Sequence, residues 1–544
     1  MLLLLVDVFE YLSVVVHALV TMAQSMAVGG SIFLVFLAQP FAMRLTVPVA
    51  AYGAVQVFDG AGLSRRVALL TGWSAIALIV TQGLTVAMQA AVVHQSVGID
   101  LADIMGANFA VAGLVKIVAA LLLAVLLFSG NTARVPLIAL CGVILAAAVM
   151  TTHSVARLDD RGILMVATTL HLLGASVWIG GIPAFVLALS RLRDGASLRL
   201  VGSRFSRLSM VGVGCILVSA VIFSIFYIGA VDGLYATAYG VMVTGKGVLF
   251  LGLLGLGLGN FLVVERLRRD PATSVLRLRR FAEVEIGVGL TLFFAAASLT
   301  STAPAVDVRQ QDRVSLSEIT ERFTPRLPTL IEPDHSTLTM PPADFVPGSG
   351  ETYGHELTDS QLSEFGHHRA GVFILVIGLL ALLDRMGVRW ARHWPLGFLV
   401  LGVFLMFVSE PEVWPLGPIG FFEGLRDVEV LQHKAVFTLV IAFALFEWGV
   451  NVGYFKDQRA ALVFPLLVGI GSILLLAHSH PIIDIKDQLL VEMTHTPMAL
   501  VGVTVASARW LQLRADGRVA RVASWVWPAG LLLISVILLL YRET

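Results

Sequence analysis

Cysteine is almost missing from this chain: Cys141 and Cys215 are the only two in 544 residues. Both fall in apolar stretches and no Cys-x-x-Cys occurs, which argues against a disulfide framework, a dithiol redox pair or a thiolate metal centre. Charge is scarce as well. Charged residues make up 14% of the sequence, against roughly 25% in soluble domains. The 37 basic and 37 acidic side chains cancel, so no basic surplus draws the chain to nucleic acid. There is no Walker sequence, no phosphorylation-type aspartate motif and no nucleophile constellation, so neither an ATP-driven pump nor an enzyme is expected. The N-terminus MLLLLVDVFEYLSVVVHALV lacks a basic n-region and runs past the length of a signal-peptide core. It reads as an uncleaved helix.

What the chain has instead is hydrophobic sequence, 57% of it, in long unbroken runs. A water-soluble core cannot bury that much apolar surface, whereas a bilayer can. Lipid admits only helices and closed barrels, and runs of about 20 residues without alternation select helices. The expected fold is all-α, a polytopic integral membrane protein of about fourteen transmembrane helices. They fall near 11–37, 67–91, 109–128, 135–155, 163–189, 208–230, 239–264, 282–302, 369–384, 396–409, 432–451, 460–478, 495–511 and 524–541.

Arginine and lysine alternate between the connections. Arg44, Arg65 and Arg66 occupy the first connection, and the second, from His94 to Asn108, has no basic residue. Later basic connections carry Arg191 to Arg207, Arg266 to Arg280, Arg385 to Arg392, Lys456 and Arg459, and Arg514 to Arg521. Acidic connections with Asp232, with Glu410 to Glu429, and with Asp484 to Glu492 lie between them. Basic loops stay in the cytoplasm, so both termini are expected to be extracytoplasmic. One connection is much longer than the rest and rich in Pro, Thr, Ser and acids. The chain then divides into an eight-helix membrane domain over 1–302, an extracytoplasmic linker or small cap over 303–366, and a His-rich six-helix membrane domain over 367–544.

On this topology twelve of the thirteen histidines lie outside or in the outer part of a helix, and His393 is the exception. A single boundary histidine reads first as a hydrogen-bonded structural residue. Clustering on one side changes that reading, because imidazole is the commonest metal ligand and intramembrane ionisable groups are functional candidates. The candidate ligands are His17, His153, His171, His367, His368, His433, His478, His480 and His495, with Met493 and Met498. Thioether plus imidazole is a soft set that suits copper, Cu(I) in particular. Met22 and Met26, one turn apart, read as packing. Glu492 and His495 have the spacing of a di-iron helix motif, but no second copy exists. Lys116 and Lys246 sit about two turns inside their helices, where they snorkel outward or pair with Asp100, Asp103 or Asp232.

The run from His171 through Trp178-Ile-Gly180-Gly181 resembles the copper-resistance protein D (CopD) family. The resemblance continues through Arg204-Phe205-Ser206-Arg207, Tyr235-Ala-Thr237-Ala-Tyr239-Gly240, Lys246 and Asn260. It covers helices five to eight, and the eight-helix count of 1–302 looks like the whole family unit. It implies a bacterial inner-membrane protein that handles copper arriving from the periplasm, often beside a small periplasmic copper chaperone. His171 and its Trp-x-Gly-Gly companion carry over from the family, with His17 and His153 as neighbours. The six further helices have no counterpart in the resemblance.

Copper binding followed by transfer across the membrane, or delivery to membrane cuproenzymes, is the leading expectation. Its difficulty is an inner half almost without ligands. The alternative is a haem-binding membrane redox protein, since histidines on facing helices can ligate haem axially. A transporter of another solute, with histidines as pH sensors, is a third reading. Lipids are expected contacts and nucleic acid is not.

Overall fold

The computed structural model describes residues 2–45, 60–192, 194–270, 273–333, 357–411, 413–457, 459–476 and 485–542. No strand forms among them, and one isolated bridge joins Val413 to Ile419. The first eight principal helices are α1 (Phe9–Phe33), α2 (Gly60–Val97), α3 (Asn108–Phe128), α4 (Arg134–Val149), α5 (Arg161–Trp178), α6 (Gly195–Phe223), α7 (Ala238–Arg269) and α8 (Leu276–Leu299). Six more follow: α9 (Leu357–Arg385), α10 (Leu396–Val408), α11 (Val428–Asn451), α12 (Val463–Leu476), α13 (Ile485–Arg514) and α14 (Gly517–Leu539). Among the described residues twelve helices are long and apolar enough to cross a membrane. Arg134–Val149 and Ala460–Leu476 are apolar but shorter. The protein is a polytopic membrane protein.

Polar residues set where these helices begin. Asp194 caps α6 by accepting from the Ser197 N–H at 2.7 Å, and Thr237 caps α7 through the Gly240 N–H at 3.1 Å. Asp427 caps α11 by accepting from the N–H groups of Glu429 and Val430. Each satisfies a backbone donor that the first turn leaves open. Several boundaries differ from the sequence reading. The fifth run is not one helix to residue 189: α5 ends at Trp178, and a second helix, Ile182–Arg191, starts after Gly180-Gly181 with Pro183 in its first turn. Proline lacks the N–H that would continue α5. In the opposite sense, α9 and α13 begin well before their apolar runs, because polar turns extend each helix beyond the apolar span.

The first eight helices form two similar sets of four. Helix α1 packs on α2 as α5 packs on α6, and α3 packs on α4 as α7 packs on α8. The sets meet where α1 crosses α5. Ser-x-x-x-Gly-Gly occurs at 25–30 within α1 and at 176–181 across the end of α5. A β-carbon on Gly29 would fall onto the Ser176 carbonyl oxygen, and one on Gly180 onto that of Ser25. This reciprocity is that of two helices related by a two-fold axis. Small residues let the backbones touch where lipid offers no hydrophobic drive. Lys116 in α3 and Lys246 in α7 are each the ninth residue of their helix (108 to 116, 238 to 246).

The last six helices pack on this bundle through α13 against α7 and α8, and α12 against α8. The large core of the first bundle takes in Leu476, Ala499 and Val503 from α12 and α13. At one end of this seam Glu283 accepts from Arg280, from Arg514 and from the Trp510 indole. Around Trp394, Phe464 and Trp527 the last six helices have a core of their own. Within it Arg509 donates to Glu447, which is fully buried. Arg509 also donates to Gln512 at 2.8 Å, and the Trp527 indole donates to the same oxygen at 2.6 Å.

Residues 301–333 lie over the opposite end of the bundle, called the cap end below. They bind through Arg157–Asp307, Arg313–Asp232 and Lys486–Glu318, and through Arg542, which donates to the Thr324 carbonyl. Hydrogen bonds from Lys486 and Ser315 hold the Glu318 carboxyl down to about 2. The cap thus touches the starts of α7 and α13 together with the chain end after α14, which joins the two sets of helices outside the membrane spans.

Arg509→Met alone leaves a buried carboxylate uncompensated and should cost roughly 3–5 kcal/mol, measured by unfolding in detergent. Combining it with Glu447→Leu should restore most of that loss, and additive losses would show that the pair is not coupled.

Candidate metal-binding clusters

In the first eight helices the candidate histidines approach the cap end on α1, α5 and the short helix His153–Ala156. His17 and His153 are exposed. His17 lies within electrostatic reach of both His153 and Lys116, so α1, α3 and the turn before α5 converge there. His171 is half-buried, with its ring tilted against Phe223 at 5.6 Å. Its Nδ1 stands 3.0 Å from Ser219 Oγ. The Ser219 hydroxyl proton already goes to the Ile216 carbonyl at 2.8 Å, so Nδ1–H is the donor of the first bond. The neutral ring then keeps its lone pair on Nε2. Fixing the tautomer through a bond to the other nitrogen is how proteins orient a ligating imidazole.

Lys246 lies within electrostatic reach of His171. Together with Met242 and Thr496 it also lines a cavity of about 10 Å³ between α7 and α13, close to the room one water needs. The Thr302 hydroxyl donates to Met242 Sδ at 3.5 Å. Thr496 neighbours His495 in sequence, but the His495 ring turns to His367 and Tyr541. Met493 packs in this seam with Val241 and Ile319.

In the last six helices the structure brings His367 and His495 together. Their rings lie 5.9 Å apart and nearly perpendicular, and Tyr541 stacks on His367 at 3.9 Å. Each Nδ1–H donates to a backbone carbonyl one turn back: Ser363 at 2.8 Å for His367 and Val491 at 3.0 Å for His495. The same tautomer results, with both lone pairs on Nε2. His368 is different. Its Nδ1 accepts from the Thr329 N–H at 2.9 Å, and its Nε2–H donates to the Tyr541 carbonyl at 2.8 Å. Both nitrogens thereby fasten the cap and the chain end to α9.

His433 lies on α11, and its Nδ1 is 2.5 Å from Glu410, whose other oxygen accepts from Lys434 at 2.7 Å. Met498 is buried in the core of the last six helices, about one turn beyond His495. His478 and His480 lie outside the described residues. Among the described residues no group of three or more His, Cys, Asp or Glu side chains is gathered closely enough to hold a metal. Three partners escaped the sequence reading. Ser219, Glu410 and Tyr541 come from other helices or loops, and no local spacing pairs them with His171, His433 or His367.

Residues 199–299, which run from α6 through α8, match the family model described as copper resistance protein D. This stretch resembles that family. It contains Ser219, Lys246, Asn260 and Glu285, while His171 precedes it on α5. The chain is 36% identical over 169 residues to the copper transport protein CutJ of Bacillus subtilis (strain 168), covering 30% of this chain and 30% of that protein. It is 29% identical over 153 residues to the copper resistance protein D of Pseudomonas syringae pv. tomato, covering 26% of this chain and 49% of that protein. The matched stretches thus span from under a third to about half the length of these relatives. No solved structure matches the chain. The matched stretch meets the last six helices directly, through α7 and α8.

His368→Ala should cost roughly 1–3 kcal/mol by leaving the buried Tyr541 carbonyl without its donor, read as a lower unfolding temperature. Copper bound by the folded fraction should stay unchanged, and a proportional loss of copper would make His368 a ligand.

Proposed function

We propose that this protein is a copper carrier of the bacterial inner membrane, taking copper at the cap end and passing it across the bilayer. The observation that carries the reading is His171 itself. Next to a stretch that matches the copper resistance protein D family, Ser219 locks this imidazole so that Nε2 keeps its lone pair on a half-buried ring. The relatives' names, copper transport protein and copper resistance protein, favour the same cargo. Alternation of basic and acidic connections favours a periplasmic cap end.

In this reading copper is substrate and the histidines are successive ligands. His17 and His153 are exposed where a periplasmic donor protein could reach them. His171 receives the ion next, and His367 with His495 form a second pair of the same tautomer on the far side of the α7–α13 seam. Exposed-to-buried order gives the ion a direction of decreasing hydration. Imidazole is a ligand type that suits copper.

Proteoliposomes holding the full chain and an internal Cu(I)-sensitive dye test this. His171→Ala should slow copper entry at least tenfold, whereas His94→Ala, an exposed residue whose ring bonds the Ile99 carbonyl, should transport as wild type. Equal rates for His171→Ala and wild type would contradict the proposal.

A further inference from the structure

At the end of the α8–α13 seam away from the cap, three arginines share one carboxylate. Arg279 and Arg280 lie near the start of α8, with Glu283 one turn further on, and Arg514 ends α13. All three guanidiniums address the same oxygen, Glu283 Oε1. Arg280 Nη1 stands 2.5 Å from it, Arg514 Nη2 3.3 Å and Arg279 Nε 3.6 Å. The other carboxylate oxygen accepts from the Trp510 indole at 3.1 Å. The Arg514 guanidinium lies over that same indole, 5.8 Å from the ring centroid.

One carboxylate does not balance this set. Three guanidiniums against it leave two positive charges over, and Glu283 is the only acid among the groups that act on Arg280. Hydrogen bonds run short as well. The Nε–H groups of Arg279, Arg280 and Arg514 are buried and have no hydrogen-bond partner among the described residues. At 3.6 Å, Arg279 is beyond hydrogen-bond reach of Glu283. Yet Arg279 and Arg514 keep 37% and 33% of their side-chain surface exposed, so a ligand can reach them without unpacking the seam. The cluster sits at helix ends, since α13 stops at Arg514 and α14 starts at Gly517. An indole with an apolar body and a polar tip belongs at that depth, the level of the lipid headgroups.

We infer that Arg279, Arg280 and Arg514 bind the phosphate of an anionic phospholipid where α8 meets α13. The guanidinium fork matches phosphate geometry and donates to it in pairs, and basic recesses between membrane helices suit anionic headgroups. Phosphate oxygens take the donors that Glu283 leaves unused and offset the surplus charge. Depth commits the ligand to the membrane rather than to solution, because the donors open at the headgroup level beside Trp510. The arginines come from both sides of the seam. A lipid held between them ties the two sets of helices together at this end, as the cap does at the other. This inference stands apart from the copper-carrier reading.

The test uses the full chain in detergent, titrated with phosphatidylglycerol, phosphatidylcholine or inorganic phosphate. Native mass spectrometry counts the lipid adducts, and thermal unfolding is followed alongside. The wild-type chain should retain phosphatidylglycerol in preference to phosphatidylcholine and unfold at a higher temperature with it. Arg279→Gln combined with Arg514→Gln leaves the Arg280–Glu283 pair in place. It should weaken phosphatidylglycerol binding by more than about tenfold, the scale of two lost surface charges, and lose the rise in unfolding temperature. Glu283→Gln removes the competing carboxylate and should tighten the same lipid. Arg268→Gln combined with Arg269→Gln, on exposed side chains of the neighbouring basic connection, should bind as wild type. Equal phosphatidylglycerol affinity in the wild type and the Arg279→Gln, Arg514→Gln chain would overturn the site. An equal loss in the Arg268→Gln, Arg269→Gln chain would overturn it too, by reducing the effect to general positive charge. Inorganic phosphate that raises the unfolding temperature as far as phosphatidylglycerol does would overturn the lipid assignment.

Discussion

Lipid supplies no hydrogen bonds, so a polar side chain entering the helical bundle must find its partner inside the protein or hold a ligand. Most of the buried polar groups obey the first half of that rule. Arg509 finds Glu447, His171 finds Ser219, and His367 and His495 turn their Nδ1–H groups back onto carbonyls of their own helices. Each of these bonds is intrinsic to one protonation pattern, so the protein sets the imidazole tautomers before any metal arrives. Asn260 Oδ1 departs from it, because nothing among the described residues donates to it.

The same constraint explains how the helices meet. With no hydrophobic gain between apolar surfaces in lipid, close contact has to come from shape. At the α1–α5 crossing it comes from glycines set directly over carbonyl oxygens, and the reciprocity of Gly29 with Gly180 gives the eight-helix bundle an approximate two-fold axis. Polar contacts then fasten the last six helices at both ends of the seam: the Glu283 cluster at one end and the Lys486–Glu318 bridge to the cap at the other. Apolar packing of Gly245 against Thr496 fills the seam between them.

Much of the fold was legible because twenty-residue apolar runs have few alternatives: each of the fourteen runs overlaps helix among the described residues, the fifth two helices rather than one, and twelve spans are long and apolar enough to cross a membrane. The break after Trp178 was missed because Gly180-Gly181 and Pro183 sit inside a run that stays apolar throughout. The early starts of α9 and α13 were missed for the opposite reason, since polar residues such as Ser363 and Glu492 continue a helix that hydropathy alone ends. The histidines of the candidate site were visible as residue types on one side of the chain. Their partners were not, because Ser219, Tyr541 and Glu410 are paired with them only by the packing of distant segments. Glu285 was legible as a letter within a predicted span, but its charge merged with the arginine-rich turn around Glu283. Packing separates the two: Glu283 faces Arg514 and Trp510, and Glu285 faces Asn260.

X-ray absorption at the copper edge of the copper-loaded full chain measures the metal's neighbours without a functional assay. The account predicts a nitrogen and oxygen shell with the outer-shell scattering of imidazole, weakened in His171→Ala. A sulfur-only shell in the wild-type chain, or an imidazole signal unchanged by His171→Ala, would contradict it.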